Sequence, residues 1–419
     1  MQTFLTSALS QSFARPVRPI ARMVACFREK VGNRMRIIVL GYIIRGPIGG
    51  MAWHHLQYVL GLTRLGHDVY FFEDSDDYAS CYDPTTNSME VDPSYGIAFA
   101  SQIFNAIGLS EKWTYYDAHS QNWSGPAAGR ALEISTSADL LLNISGVNPL
   151  RDWFDRVPVR VLIDTDPVFL QIRHLQNAQA RQMAARHTAF LSFGENIGGI
   201  ASLPDDGFPW APTRQPIVLD CWPVTAGTKE GKFTTVMQWE SYPPAQYEGR
   251  VFGMKSMSFG PYQDLPQRAA ATFELAIGNP PRELARLGWS IRNPLEVTKD
   301  PWTYQSFIMQ SKAEFSVAKH GYVVSRSGWF SERSAGYLAC GRPVLVQDTS
   351  FTEWLPAGEG VVPFTSPNEA LAGIEKINAC YESHCVRARE VAEAYFGSGG
   401  VLNRLLDAAY AKSPSAKNA

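Results

Sequence analysis

The stretch that decides the fold runs from residue 314 to residue 348 and reads EFSVAKHGYVVSRSGWFSERSAGYLACGRPVLVQD. Residues 314–318 and 343–346 predict two short buried strands. Between them, residues 325–328 predict a loop, and Ser331 can cap a helix that ends before Gly341. Strand, loop, helix and strand in this order form a unit of a parallel α/β sheet. Ligands of such sheets bind outside the carboxyl ends of the strands, where the free N–H groups of a helix N-terminus donate hydrogen bonds to phosphate. The stretch therefore predicts a phosphate-binding loop.

Length and composition narrow the class of protein. The chain has 419 residues, 45% of them hydrophobic, which is enough for two domains of ordinary size. A net charge of −2 gives no reason to expect nucleic acid as a partner. The six cysteines contain no C-x-x-C pair, so we expect reduced thiols in a cytoplasmic protein rather than a zinc site. No apolar run reaches the length of about 18 residues that a transmembrane helix needs.

Residues 1–34 differ from the rest of the chain. They carry six basic residues against one acid, Glu29, and lack the apolar core of a secretion signal. We expect a disordered basic extension outside the fold, or an upstream start codon ahead of a natural start at Met35. A basic amphipathic surface helix is the alternative, and it leaves peripheral contact with a membrane open.

A second α/β unit begins at Met35. Residues 35–42 predict a buried strand, residues 46–50 a glycine turn, residues 51–65 a helix and residues 68–72 a second strand. A dinucleotide site is the rival interpretation, but the G-x-G-x-x-G spacing is absent. The acids that follow the second strand keep that rival open; they are Glu73, Asp74, Asp76 and Asp77.

The remaining chain continues the alternation of strands and helices. Strands are predicted at 138–146, 160–164 and 187–193, a turn-rich loop at 81–94, a mostly helical segment at 273–287 and helices within 381–406. Residues 202–230 are rich in proline and glycine and predict an interdomain linker. The predicted organisation is a domain at 35–225, a second at 226–395, and a C-terminal helix and disordered tail at 396–419.

Both ends of the chain resemble one family. Gly49-Gly50, His54 and the run Gly66-His67-Asp68-Val69 match its first unit, and residues 338–344, LACGRPV, match its last. These motifs resemble the GT-B glycosyltransferases, in particular the glycogen-synthase-like group of families 4 and 1. The resemblance implies an α/β protein with two Rossmann-like domains that face each other across a cleft. It also implies an N-terminal acceptor domain and a C-terminal domain for a nucleotide-diphosphate sugar, on base rates a UDP-sugar.

One motif departs from that family. Its two glutamates, spaced E-x7-E, would stand at positions 328 and 336, where this chain has Gly328 and Gly336. The second glutamate normally holds the ribose of the nucleotide, and only Glu332 lies nearby. The run Gly328-Trp329-Phe330-Ser331 instead resembles the Gly-Trp-Asn-Ser of plant-type secondary-product glycosyltransferases. Retention or inversion of the anomeric centre therefore stays open.

The candidate site residues follow from the motifs and the resemblance. Acceptor activation needs a histidine with a carboxylate, and the available residues are His54 or His55 with Asp164 or Asp166. Gly49 and Gly50 are expected to line the cleft. The predicted donor-binding residues are Ser327, Gly328, Trp329, Phe330, Ser331, Glu332, Arg333, Lys319, Asp348 and Glu240, with Arg326 and Lys255 as further sources of positive charge.

Neither a metal nor a cofactor is predicted. The D-x-D candidates, at 74–76 and 164–166, are in unpersuasive places, so we expect positive groups and backbone N–H donors to stabilise the leaving diphosphate. The acceptor, a small molecule, a glycan or a lipid, is not readable from the sequence. A nucleotide-sugar epimerase of the same architecture and a degenerate sugar-nucleotide-binding protein without turnover are the alternatives to a hexosyltransferase.

Overall fold

The computed structural model describes residues 34–411, so the predictions for residues 1–33 and for the tail at 413–419 lie outside the described residues. Two parallel sheets organise this part of the chain. Strand β1 shows why the first one forms: its sequence RIIVL is rich in branched apolar side chains and is buried on both faces, as a central parallel strand requires.

The first sheet has eight strands in the order β10-β9-β8-β7-β1-β2-β5-β6, and only β6 runs antiparallel to its neighbour. We call residues 34–212 the first half. Its elements are β1 (Arg36–Leu40), α1 (Gly49–Arg64), β2 (Asp68–Asp74), β3 (Cys81–Asp83), β4 (Ser88–Glu90), α2 (Ser94–Ala106), β5 (Trp113–Asp117), β6 (Asn122–Ser124), α3 (Ala131–Ser137), β7 (Leu140–Ile144), β8 (Val159–Asp164), α4 (Phe169–Gln176), α5 (Ala178–Ala185), β9 (Ala189–Ser192) and β10 (Ala211–Pro212).

The second sheet has six parallel strands in the order β15-β14-β11-β16-β17-β18. We call residues 233–397 the second half. The elements from there on are β11 (Phe233–Gln238), β12 (Ala245–Tyr247), β13 (Arg250–Phe252), α6 (Lys255–Phe259), α7 (Leu265–Arg268), β14 (Phe273–Gly278), α8 (Arg282–Arg286), β15 (Ser290–Arg292), α9 (Pro294–Thr298), α10 (Pro301–Gln310), β16 (Ala313–Ser316), α11 (His320–Val324), α12 (Glu332–Ala339), β17 (Val344–Gln347), β18 (Val361–Phe364), α13 (Pro367–Ala379), α14 (Tyr381–Val391) and α15 (Ser398–Ala411).

Two local predictions were wrong. Residues 273–278 form strand β14, not a helix, because they pair with β11 on one side and β15 on the other. A helix follows only at Arg282–Arg286. The predicted loop at 81–94 contains a short antiparallel hairpin, in which Tyr82 pairs with Met89.

The two halves share one hydrophobic core. A single cluster of buried side chains joins Val39 and Phe193 of the first half to Tyr304, Phe330 and Phe396 of the second. Helix α10 packs on α1, and the last helix, α15, crosses back to α1, β8 and β9 of the first half. The carboxyl ends of the two sheets meet where this contact forms, and that edge carries the candidate site.

Candidate active site

The predicted phosphate loop has the expected geometry. Ser331 is the N-cap of α12, and its Oγ accepts the Arg333 N–H at 3.2 Å. Gly341 follows the helix with a φ of +71°, a conformation that glycine adopts without strain. The N-terminus of α12 therefore faces the carboxyl ends of β16 and β17, beside a small cavity that Ser316, Ser331 and Gln347 help to line.

Positive charge gathers behind this helix N-terminus. The Arg333 guanidinium donates to the Glu314 carboxylate at 2.6 Å, to the Ser316 hydroxyl at 2.7 Å and to the Val236 carbonyl at 2.8 Å. Lys255 has no hydrogen-bond partner or ion pair within residues 34–411. Burial and the charge of Arg333 lower the pKa of Lys255 well below its usual value. An anion placed here would relieve that unfavourable environment.

Asp166 connects the two halves. It follows β8, and its carboxylate accepts two hydrogen bonds from Lys319 Nζ, at 2.9 and 3.1 Å, and one each from the hydroxyls of Tyr242 and Tyr322. Lys319 also lies over the Tyr242 ring, 4.4 Å from its centroid. Asp166 and Tyr242 line a cavity of about 500 Å³, within the range of about 300–1,000 Å³ that ligand pockets occupy.

Trp329 supports the same contact between the halves. Its ring stacks on Tyr322 with the centroids 4.4 Å apart, and its Nε1–H donates to the Thr165 carbonyl at 3.2 Å. Trp329 therefore positions the phosphate loop against the first half. Sequence reasoning missed both tyrosines, Tyr242 and Tyr322, because each lies more than 70 residues from Asp166 along the chain.

His54 has a different carboxylate partner from the predicted ones. Its Nδ1 pairs with the carboxylate of Glu332, in the first turn of α12, and not with Asp164 or Asp166. The His54 side chain is buried, and its Nε2 has no hydrogen-bond partner among the described residues. A residue of the first half thus meets the first turn of α12 in the second half directly.

His55 is a core residue. It is fully buried, its Nδ1 contacts the Met51 carbonyl at 2.8 Å and its Nε2 accepts the Tyr42 N–H at 3.2 Å. Burial and the neighbouring His54 keep the pKa of His55 well below its usual value, so it stays neutral. Both ring nitrogens of His55 are hydrogen-bonded to main-chain groups, so neither is free to act on a substrate.

The predicted glycine loop packs against the second half. A Cβ on Gly49 would lie 2.2 Å from the Asp300 carbonyl oxygen, and one on Gly50 would lie 3.3 Å from the Tyr304 ring. Glycine is required at position 49 for this close approach. Gly49 and Gly50 therefore lie at the contact between the halves instead of lining an open cleft.

The other predicted donor residues are spread around the loop. Ser327 is fully buried and receives the Trp329 N–H, while Phe330 packs into the shared core against Phe396. Asp348 accepts the Thr352 hydroxyl through Oδ2 and leaves its buried Oδ1 without a partner in the described chain. Glu240 is exposed.

The acids of the rival dinucleotide interpretation hold the first half together. The Glu73 carboxylate accepts the N–H groups of Ile44 and Arg45, in the turn after β1, at 2.7 and 2.6 Å. Asp74 pairs with Arg151 at 2.9 Å. Both of these acids are engaged within the first half, so neither is presented to a ribose.

Neighbouring side chains pack closely on the two glycines that stand at the positions of the family glutamates. Gly328 has a φ of +74°, and a Cβ there would lie 2.7 Å from Cγ of Asn196. Gly336 faces the ring of the buried Trp222, 3.3 Å from its Cβ position. A side chain at either position would therefore displace a neighbour from outside the 314–348 stretch, Asn196 at position 328 and Trp222 at position 336.

Within residues 34–411, no group of three or more His, Cys, Asp or Glu side chains is arranged to hold a metal ion. None of the helices in that range has both the length and the apolar content needed to cross a membrane.

Comparison with known proteins identifies the fold. No protein-family model and no curated protein matches the sequence. Among solved structures, an α-glucosyltransferase in complex with UDP and DNA has a TM-score of 0.52 at 12% identity, covering 90% of this chain and 100% of its own. AviGT4, a glycosyltransferase of avilamycin A biosynthesis, gives 0.51 at 11%, covering 90% and 97%. HepE of Anabaena in complex with UDP-glucose gives 0.51 at 12%, covering 89% and 99%. The predicted fold is confirmed: the chain has the two-sheet GT-B architecture of these glycosyltransferases.

Proposed function

We propose that the protein is a glycosyltransferase that moves a sugar from a nucleotide-diphosphate sugar, a UDP-sugar, to an acceptor hydroxyl. The observation that carries the proposal is the convergence of the α12 N-terminus with Lys255 and Arg333 at the carboxyl edge of the second sheet. Oriented N–H groups and cations are what a diphosphate needs. Solved proteins of this fold bind UDP or UDP-glucose, which supports uridine as the base.

The reaction breaks the bond between the anomeric carbon and the phosphate oxygen and forms a bond from that carbon to the acceptor oxygen. The proton of the acceptor hydroxyl passes to a basic group in the cleft. The leaving nucleoside diphosphate gains negative charge as the bond breaks. We propose that Lys255, Arg333 and the N–H groups of α12 stabilise that charge without a metal ion. Lys255 is the best placed of these groups, because it has no competing carboxylate partner within the described chain.

The pair His54 and Glu332 is proposed to flank the transferred sugar. Both side chains lie between the first half and the phosphate-binding helix, where the sugar of a bound donor has to sit. Donor binding would then separate the pair and present both groups to the sugar or the acceptor. Asp166 is proposed to face the acceptor from the 500 Å³ cavity that it lines.

The test is thermal melting with UDP, GDP, ADP, dTDP and NAD(P), on wild type, Lys255→Met and the control Lys299→Met, which removes an exposed lysine. UDP at about 100 times its dissociation constant should stabilise wild type and the control by roughly 2.7 kcal/mol. Loss of one charge-assisted hydrogen bond should weaken binding to Lys255→Met by about 1.5–3 kcal/mol. Lys255→Met should still fold, because the Lys255 side chain forms no hydrogen bond or ion pair within residues 34–411 that the substitution would break.

Other results would point elsewhere. A shift of the melting temperature with NAD(P) alone would overturn the proposal. The absence of a shift with every nucleotide would overturn it as well. UDP binding without consumption of any UDP-sugar would indicate a non-catalytic binding protein. Conversion of one UDP-sugar into another without an acceptor would indicate an epimerase.

A further inference from the structure

A second cavity, of about 640 Å³, opens in the first half beside the cleft. It exists because the connection between β7 and β8 contains only a short 3-10 turn, Asp152–Phe154, where a helix would usually cover the sheet. Helices α4 and α5 close its other side. This cavity contains none of the residues assigned above to the donor or to catalysis.

The cavity joins the cleft. Val147, Leu170, Arg173 and Asn177 line both this cavity and the 500 Å³ cavity at Asp166. A ligand that reaches Asp166 can therefore extend past Arg173 into the first half.

The walls offer hydrogen-bonding groups that the protein leaves unused. Asn143 lines the cavity and is 1% exposed; its Nδ2 donates to the Asn148 carbonyl at 3.0 Å and to His187 Nε2 at 3.1 Å, while its Oδ1 has no partner among the described residues. Because the amide nitrogen faces a carbonyl, the side chain cannot be flipped without a repulsive contact. Trp153 lines the same cavity, and its Nε1 donor also has no partner among the described residues.

The charges at the cavity nearly cancel. The Arg173 guanidinium and the Asp77 carboxylate both form no ion pair or hydrogen bond within residues 34–411. The other charged groups are already paired, as Arg151 is with Asp74 and Arg186 is with Asp155. The site thus holds unused donors and unused acceptors, with no excess of either sign.

A hydroxyl both donates and accepts a hydrogen bond, so a ligand with many hydroxyls and no charge satisfies such a mixture. Trp153 is partly exposed and packs edge-on against Tyr116, with the ring centroids 5.0 Å apart, which provides an aromatic wall for the apolar face of a sugar ring. We propose that this cavity is the acceptor subsite for an uncharged saccharide, whose reacting hydroxyl lies at Asp166. This inference rests on the proposed function, since it names the acceptor class of the same reaction.

The test measures saccharide binding without any donor. Saturation-transfer NMR is recorded on the full chain with a pool of methyl glucoside, methyl galactoside, methyl mannoside, maltose and cellobiose, and separately with glucuronic acid. Ala180→Trp fills the cavity from α5, and Ala185→Trp, an exposed alanine of the same helix, is the matched control. Arg173→Gln is a second variant on an exposed side chain and covers the case in which Ala180→Trp does not fold.

We expect an NMR saturation-transfer signal for at least one neutral saccharide in wild type and in the control. The signal should fall roughly tenfold in Ala180→Trp and severalfold in Arg173→Gln, because each variant loses contacts with the ligand. Three results would each overturn the inference. They are the absence of any neutral saccharide signal in wild type, an undiminished signal in both cavity variants, and a stronger signal for glucuronic acid than for the neutral saccharides. UDP melting on the same samples keeps the two proposals apart. An intact UDP shift without saccharide binding overturns only the acceptor class, and the reverse result overturns only the donor.

Discussion

At the scale of single residues, the acids Asp164 and Asp166 at the end of β8 have different environments. Asp164 is fully buried and accepts hydrogen bonds from Gln171 at 3.0 Å, from Ser192 at 2.7 Å and from the Asp166 N–H at 2.9 Å. Burial raises the pKa of Asp164 to about 6 in spite of these donors. Asp166 instead lies in the cleft beside Lys319. The first acid holds the strand end, and the second is partly exposed at the cavity and paired with groups of the second half.

The raised pKa of Asp164 predicts a pH dependence of stability. Its folded-state pKa of about 6 lies above the ordinary value of 3.8. The contribution of Asp164 to the free energy of unfolding is therefore full below about pH 4 and is lost as the pH rises through 6. Two pKa units correspond to about 3 kcal/mol. Urea unfolding between pH 4 and 7 should therefore show a smaller loss of stability with rising pH in Asp164→Asn than in wild type. Asp407→Asn, an exposed acid, should keep the wild-type slope; an unchanged slope in Asp164→Asn would contradict the assignment.

At the scale of elements, a loop of the first half shapes the phosphate loop of the second. The Asn196 Nδ2 donates to the carbonyls of Arg326 and Ser350, at 3.1 and 2.9 Å, and its backbone N–H donates to Ser327 at 3.1 Å. Arg326 and Ser350 both have positive φ, which non-glycine residues rarely adopt. The docked loop offsets the cost of these conformations. Gly328 lies at the centre of the contact.

Gly328→Ala tests the contact between Asn196 and the phosphate loop, and Gly108→Ala is the matched control. Both glycines have similar φ, +74° and +73°, but a Cβ meets nothing within 4 Å at Gly108 and meets Asn196 at 2.7 Å at Gly328. Backbone strain alone should cost Gly108→Ala about 1–2 kcal/mol of unfolding free energy. Gly328→Ala should cost about 1–3 kcal/mol more, because the packed loop has to shift. Equal losses in urea unfolding would show that Asn196 does not constrain the phosphate loop.

The same elements show what the sequence can and cannot predict. Arg36–Leu40 and Val344–Gln347 were predictable because their apolar runs and flanking glycines are local signals. The helix start at Ser331 was predictable from its cap. Phe273–Gly278 was misassigned because its spacing suits a helix as well, and only pairing with β11 and β15 decides between them. The partnership of His54 with Glu332 was out of reach, because it depends on how two distant halves pack.

At the scale of the whole molecule, the halves are connected through more than the site. The Trp53 Nε1–H donates to the Pro301 carbonyl at 2.7 Å, and α15 returns to the first half after Gly397. Leu402 on α15 is fully buried over Gly61, whose Cβ would lie 2.5 Å from the leucine Cδ1. Because one core cluster contains residues of both halves, a loss of packing in either half removes neighbours from the other. We therefore expect the two halves to unfold together.

Leu402→Ala tests this coupling by calorimetry. Truncation of a fully buried leucine should cost about 2–5 kcal/mol. Val386→Ala, at a residue that is 59% exposed, should stay within about 0.5 kcal/mol of wild type. All three proteins should show one transition, and in Leu402→Ala the whole transition should move to lower temperature. If Leu402→Ala instead splits the transition, so that one part melts early and the other keeps the wild-type midpoint, the shared core does not couple the halves. Separate domains would then open around the cleft, and the contacts of His54 and Asp166 with the second half would form only when a donor closes them.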